Sequence, residues 1–493
     1  MTALHQPARP EPDGRDATPT GEPTTTNKPT LPRESTIARV RFPVVDEISR
    51  HCLQGDEPET VHIEVHLPGR VDHERLRTAF HQALTRHPRI LMRQAPVRWW
   101  HRRYEWQLTA GPDVDPVAFP PPGPDALVRA RQRALTDCPS LESSPPIRLE
   151  AIEHPDAADG TVLLLTVNHT ALDGPACLRV LATAAELYGG ADNSPAPPPV
   201  RAPEPRTHRT ARPDDSTPAV GHGLTRPSRI APDTGTPTTS SGANSMDGTN
   251  GMLITDLPVP ARPPRIDGRA PYTVNDQLLV ATCLTVARWN RLHDRPTTPV
   301  LVTMPVDDRP RDSEMPIGNG TRLVSVGFGL EERRDADLLS ADPPDPGAVA
   351  LLLRRTATRT RALKSAPGSP LGLSGTVLTA PLLPVGVRGA ATRALRTAAA
   401  PWTSTTLLSN IGRIPYPLDF ADAGRPTAVW FSAPARMPRG LTVTTASVGG
   451  RIQLALRWSH ALLDDAAGAR LGALFASSLA ATESLAATEG DAR

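Results

Sequence analysis

The chain has 493 residues, 57 of them proline, and carries 54 Lys and Arg against 52 Asp and Glu for a net charge of +2. A balance this close to neutral, with no basic stripe interleaved with aromatics, argues against a nucleic-acid partner, and so much proline means that part of the length is not packed structure. The four cysteines, Cys52, Cys138, Cys177 and Cys283, are scattered with no C-x-x-C spacing, so reduced, buried thiols are expected rather than a disulfide framework.

Residues 1–34 are rich in Pro, Thr and charge and poor in apolar side chains, which predicts a disordered segment. They lack the basic-then-apolar pattern of an export signal, so a cytoplasmic protein is expected. Next, Val61, Ile63, Val65 and Leu67 alternate with His62, Glu64 and His66, the pattern of a half-buried strand with a solvated polar face. The two histidines and the carboxylate could in principle hold a metal, but without a third His or a Cys nearby no metal site is expected. Residues 71–88 read as an amphipathic helix capped by Asp72 and stopped by Pro88. The region of Trp99, Trp100 and Trp106 reads as further strands with the tryptophans in the core.

Residues 161–167 are a nearly continuous apolar run bounded by a turn-forming Asp-Gly, which predicts a strand buried on both faces. It runs into His169-Thr-Ala-Leu-Asp173-Gly174-Pro175. Glycine at 174 permits a backbone conformation closed to other residues, and Pro175 suits the first turn of a helix over 176–188. A neutral imidazole at His169 can accept a proton from a hydroxyl or amine as that group attacks an acyl carbon. Asp173 is placed to brace the turn rather than to react. The six residues 169–174 also suit a core histidine at a strand end, and the turn alone does not choose.

From 191 to 250 the chain turns Pro/Thr/Ser-rich without periodicity, which predicts a disordered linker between two lobes. Residues 273–289 form a helix with a Thr-x-x-Asp start. Residues 300–310 are a strand ending in a charged loop at Arg309, and Gly318-Asn-Gly320 precedes a strand over 323–328. A helix over 354–363 is expected to be exposed. The apolar stretch 377–387 is broken by Pro381 and Pro384 and too short for a bilayer, so no membrane span is expected. A helix over 390–400 precedes a strand from 407 that enters a glycine turn. Finally, a strand from Arg451, then His460, then Asp464 repeats the layout around His169 without the glycine, so His460 reads as a structural relic in a second, related lobe.

Taken in order, "LRTAFHQALTRHP" (76–88), "LLLTVNHTALDG" (163–174), "YTVNDQLLVATCLTVARW" (272–289), "MPVDDRPR" (304–311), "IGNG" (317–320) and "LLSNIGRIP" (407–415) resemble the condensation-domain and chloramphenicol-acetyltransferase-like superfamily. That superfamily includes peptide-synthetase condensation domains, polyketide-associated acyltransferases, wax-ester synthases and plant BAHD acyltransferases. The resemblance implies an α/β fold of two lobes in a V, each a mixed sheet flanked by helices, with an active-site channel at their interface. The lobes would be residues 35–190 and 251–485, with a tail at 486–493. It implies His169 as general base, an ion pair between Asp173 and Arg309, and Gly174 keeping the turn tight. Ser409 and Asn410 are candidate oxyanion donors or channel residues, or else only turn-stabilising. Condensation domains of peptide synthetases usually carry His-His, and Asn168 here replaces the first, which points to a stand-alone acyltransferase.

The expected activity is acyl transfer from coenzyme A or a phosphopantetheine carrier protein to a small-molecule alcohol or amine, by a monomer with no bound cofactor, in specialised metabolism. The alternatives are a non-catalytic recruitment module and the same fold redirected to cyclisation, epimerisation or dehydration.

Overall fold

The structure, a computed structural model, describes residues 38–53, 58–154, 160–192, 226–235, 250–261, 265, 270–307, 309, 318–365, 375 and 377–483. The segment 1–34, the tail 486–493 and most of 191–250, where disorder is expected, lie outside the described residues.

The amino-terminal half runs β1 (Arg39–Arg41), α1 (Val44–His51), β2 (Thr60–Leu67), α2 (His73–Arg86), β3 (Met92–Gln94), β4 (Glu105–Leu108), β5 (Val117–Ala118), α3 (Ala126–Thr136), β6 (Ile147–Glu153), β7 (Thr161–Asn168) and α4 (Gly174–Tyr188). The carboxy-terminal half runs β8 (Asn250–Pro258), α5 (Val274–Leu292), β9 (Val300–Asp307), β10 (Thr321–Phe328), α6 (Leu330–Arg333), α7 (Ala336–Ser340), α8 (Pro346–Ser365), α9 (Val385–Ala399), β11 (Thr406–Arg413), β12 (Ala428–Ser432), β13 (Leu441–Val448), β14 (Arg451–Ser459) and α10 (Asp465–Ala481).

A five-stranded mixed sheet, β12-β2-β7-β6-β5, organises the first half, and a six-stranded one, β10-β9-β11-β13-β14-β8, the second; β1-β4-β3 forms a small third sheet. β7 is buried along its whole length because each face has its own cover. Leu163, Leu165 and Val167 enter the main core shared with α2 and α4, while Val162 and Leu164 pack against Ala126, Leu127, Ala130 and Ala134 of α3. A residue period of two thus serves two apolar layers, and the sequence reads as one unbroken run. Local signals start the helices: Asp72 accepts from the Arg75 N–H at 2.7 Å, and at α5 Thr273 and Asp276 cap each other reciprocally.

Three expectations need correction. The two halves also pair strand to strand: β12, from the carboxy-terminal half, adds itself antiparallel to β2, with Ala428 opposite His66 and Ser432 opposite His62. Phe420, Val429 and Phe431 go with it into the amino-terminal core. Within the expected linker, residues 226–235 are packed: Ile230 and Ala231 are buried against α5, where Asn290 and Trp289 bond both backbone groups of Ala231. Two apolar residues are enough to dock a short proline-flanked segment when its backbone finds partners.

The polar face of β2 is not solvated. Glu64 is fully buried and accepts from Arg131 of α3, with His62 and His66 at its two oxygens, His154 beyond His66 and Ser432 beyond His62. Burial alone would raise the Glu64 carboxyl, but these donors hold it well below the usual range. Of the three tryptophans, Trp106 is in the core, whereas Trp99 is 66% and Trp100 49% exposed. The Trp99 carbonyl bonds the Gly386 N–H at 2.9 Å, fastening that loop to the start of α9 and leaving its rings outside.

Candidate active site

β7 delivers the chain to Asn168, whose side chain shapes the turn beyond the strand. Its Oδ1 accepts from the Thr170 N–H at 3.0 Å and its Nδ2 donates to the Pro139 carbonyl at 2.9 Å, while the His169 N–H donates to the Glu59 carbonyl at 2.8 Å. The strand ends because Asn168 closes an Asx turn over Thr170. The His169 ring is half-buried, and its Nδ1 lies 3.0 Å from the Leu172 carbonyl oxygen. A carbonyl only accepts, so Nδ1 carries the proton and Nε2 holds the basic lone pair. Among the described residues Nε2 has no hydrogen-bond partner.

Asp173 caps α4 and turns away from the imidazole. One oxygen accepts from the Ala176 N–H at 3.1 Å; the other accepts from the Gly320 N–H at 3.0 Å and pairs with Arg309. Complete burial pushes this carboxyl up, against Arg309 and the two backbone donors, which favour its ionised form. Arg309 also reaches the Gly318 carbonyl at 3.2 Å, and its own N–H donates to Asp307 at 3.1 Å. Gly320 must be glycine, because a Cβ there would overlap the Arg309 side chain. Gly174 needs no special backbone: it opens α4 without a positive φ, and a Cβ on it would meet Phe431 at an ordinary 3.5 Å. The expectation that its conformation is closed to other residues is therefore corrected; what glycine supplies here is space.

Two residues that sequence reasoning missed complete the turn's support. The Asn319 Nδ2 donates to Asp46 at 3.0 Å, to the Thr170 carbonyl at 3.0 Å and to the His169 carbonyl at 3.3 Å. The other Asp46 oxygen accepts from Trp106 Nε1 at 2.9 Å. Burial pushes the Asp46 carboxyl up to about 7, opposed by Asn319, Trp106 and His169 and reinforced by Asp173. The Gly-Asn-Gly at 318–320 marks a special backbone, but nothing in the sequence ties Asp46 to it.

Ser409 and Asn410 lie on β11. The Asn410 side chain bonds the Gly412 N–H at 2.9 Å, Thr445 at 3.1 Å and Asn275 at 3.2 Å, spanning a bulge that Gly412 enters with φ +73°. Ser409 is half-buried opposite Thr444, and no hydrogen bond among the described residues joins either side chain to the His169 turn. In the repeated layout Asp464 caps α10 through the Ala467 N–H at 2.7 Å, as Asp173 caps α4, while His460 is exposed and contacts Asp465 at 3.1 Å. Among the described residues no group of three or more His, Cys, Asp or Glu is arranged to hold a metal, and no helix is long and apolar enough to cross a membrane.

The described residues take the α/β fold of the condensation-domain and chloramphenicol-acetyltransferase-like acyltransferases, two lobes each built on a sheet flanked by helices. The trichothecene 15-O-acetyltransferase TRI3 of Fusarium sporotrichioides superposes over 90% of this chain and 95% of its own, with a TM-score of 0.58 at 11% identity. The starter condensation domain of rhizomide synthetase RzmA, solved with C8-CoA and Leu-SNAC, does so over 91% and 94%, with a TM-score of 0.58 at 13% identity. In sequence the chain is similar to uncharacterized proteins MT2362 and Rv2305 of Mycobacterium tuberculosis, strains CDC 1551 and H37Rv, each 26% identical over 442 residues, 85% of this chain and 94% of theirs. No family model matches the chain.

Proposed function

We propose that the protein is an acyltransferase that moves an acyl group from a thioester, on coenzyme A or a phosphopantetheine carrier protein, to the hydroxyl or amine of a small molecule. The observation that carries this reading is the His169 ring, fixed through Nδ1 to the Leu172 carbonyl with Nε2 left as the basic nitrogen. As the acceptor attacks the thioester carbonyl, Nε2 takes its O–H or N–H proton. The C–S bond then breaks, and the departing sulfur receives that proton as free thiol. The thioester ligand of the RzmA domain, whose fold this chain shares, supports such a donor here. Asn168, whose side chain is spent on Thr170 and Pro139, serves the turn rather than the chemistry, which suits a stand-alone enzyme of specialised metabolism.

Asp173, Gly174 and Arg309 support the site: the ion pair holds the turn, and Gly174 leaves room beside Phe431. Ser409 and Asn410 belong to the proposal as channel residues only, since the Asn410 carboxamide is occupied by its own bulge.

The test is to offer the purified protein a panel of acyl-CoA and acyl-carrier donors with alcohol and amine acceptors, monitoring thiol release and product mass. The wild-type protein is expected to release thiol in step with an acylated acceptor. His169→Ala is expected to abolish this while unfolding at the wild-type temperature. A folded His169→Ala protein that works at the wild-type rate would refute the role given to His169.

A further inference from the structure

Asp46 sits on α1, far in sequence from every motif of the site, and is 3% exposed. Both of its oxygens face N–H groups: Trp106 Nε1 at 2.9 Å and Asn319 Nδ2 at 3.0 Å. Indole nitrogen only donates. The Asn319 amide is fixed in orientation too, because its Nδ2 faces three oxygens at once, and turning it over would set its own oxygen against the His169 and Thr170 carbonyls. Asp46 is thus held by two donors and meets no acceptor among these partners, so its hydrogen bonds favour the carboxylate while its burial favours the carboxyl.

We infer that Asp46 is a positioning residue for His169: while ionised it anchors Asn319, which grips the backbone of the His169 turn, and on taking up a proton it lets that grip slacken. Asn319 is the partner that gives way. Trp106 is buried and stacks on Phe42 with ring centroids 4.1 Å apart, whereas Asn319 is half-buried on the short loop before β10.

The groups around Asp46 allow such a change. His169 favours its charge and Asp173 opposes it. Arg309 is taken by Asp173, and on α1 itself Glu47 is paired with Arg388 of α9 and lies 3.4 Å from His51. Neither hydrogen-bond partner of Asp46 is a cation, and its burial places the change at about pH 7. Ser49, one helical turn along α1, meets Thr170 at 3.3 Å, so the same helix touches the turn at a second point that does not titrate. Slackening would loosen the turn rather than unfold it.

This inference rests on the reading of His169 as a base, but its first test does not. The Asn319 side-chain amide is tracked by NMR across pH in the full-length protein, its cross-peak identified by its loss in Asn319→Ala. We expect one transition near pH 7, moved to higher pH in Trp106→Phe, which deletes a donor that favours the carboxylate, and missing in Asp46→Asn. A cross-peak that stays still from about pH 5 to pH 9, or one that moves identically in Asp46→Asn, overturns the inference. Should Asp46→Asn fail to fold, Trp106→Phe decides alone: an unmoved transition there overturns it. In the transfer assay, log kcat/KM is expected to fall more steeply on the acid side of pH 7 in the wild type than in Asp46→Asn. Equal steepness in the two proteins overturns the inference and leaves the acyltransferase reading standing. Absence of any thiol release removes that reading, and the amide titration then decides the inference alone.

Discussion

Asp173 and Arg309, 136 residues apart in the chain, close an ion pair in which each side chain is only 4% exposed. One belongs to the cap of α4 and the other to the loop after β9, so the contact ties the His169 turn of one half to a strand end of the other. Either partner alone is a buried charge without compensation. Arg309→Ala and Asp173→Ala are each expected to cost about 3–5 kcal/mol, and the double substitution clearly less than their sum. Urea unfolding of the three variants measures this; additive losses would show that the two residues do not act as a pair.

Gly320 and Gly174 flank the same pair and should respond oppositely to one added methyl. Gly320→Ala drives a Cβ into the Arg309 side chain and is expected to cost about 1–3 kcal/mol or more. Gly174→Ala reaches Phe431 at 3.5 Å in a helix that prefers alanine, and its melting temperature should equal or exceed the wild type. Any activity lost in Gly174→Ala then reports the space beside Phe431, not the fold.

Asp46 gives stability a definite pH slope. Its folded value, about 7, lies above the ordinary 3.8, so the native state holds this proton more tightly than the unfolded chain does. The contribution is fully present below the ordinary value and is lost as pH rises towards about 7. Relative to the wild type, Asp46→Asn should therefore gain melting temperature progressively between about pH 4 and pH 7. Calorimetry of both proteins at several pH values checks the trend, and a constant difference contradicts it.

Glu64 runs the other way. Arg131, His62 and His66 outweigh its burial and hold its carboxyl well below the usual 4.5, so its contribution is present at neutral pH and lost as pH falls below that value. Arg131→Met leaves a buried carboxylate without its guanidinium and is expected to cost about 3–5 kcal/mol at neutral pH. The loss should shrink in acid, where Glu64 can protonate; denaturant unfolding at neutral and acid pH compares the two.

Much of this is legible in the residues. The turn at His169 shows itself because a β-rich run, a polar stop and a helix-starting proline succeed one another within a few positions. The caps at Asp72 and Thr273 are local chemistry and appear as such. The order of motifs carries the fold. What stays hidden depends on partners distant in sequence: alternation on β2 cannot show that α3 covers its polar side, nor the pattern of 428–432 that its neighbour is a strand formed more than 350 residues earlier. Asp46 is illegible for the same reason, since its meaning comes from Asn319, 273 residues away. Trp99 and Trp100 mislead because tryptophan is usually internal, and the backbone bonds from Gly386 to Trp99 and from Val385 to His101 fix the loop that carries them on the outside.

The insertion of β12 beside β2 sets how this protein can be taken apart. A fragment ending near residue 192 would carry β2 with its edge bare, an invitation to self-association. The complementary fragment would present β12 with nothing to pair. Produced together, the two pieces should recombine into one soluble particle through that strand, while neither survives purification alone.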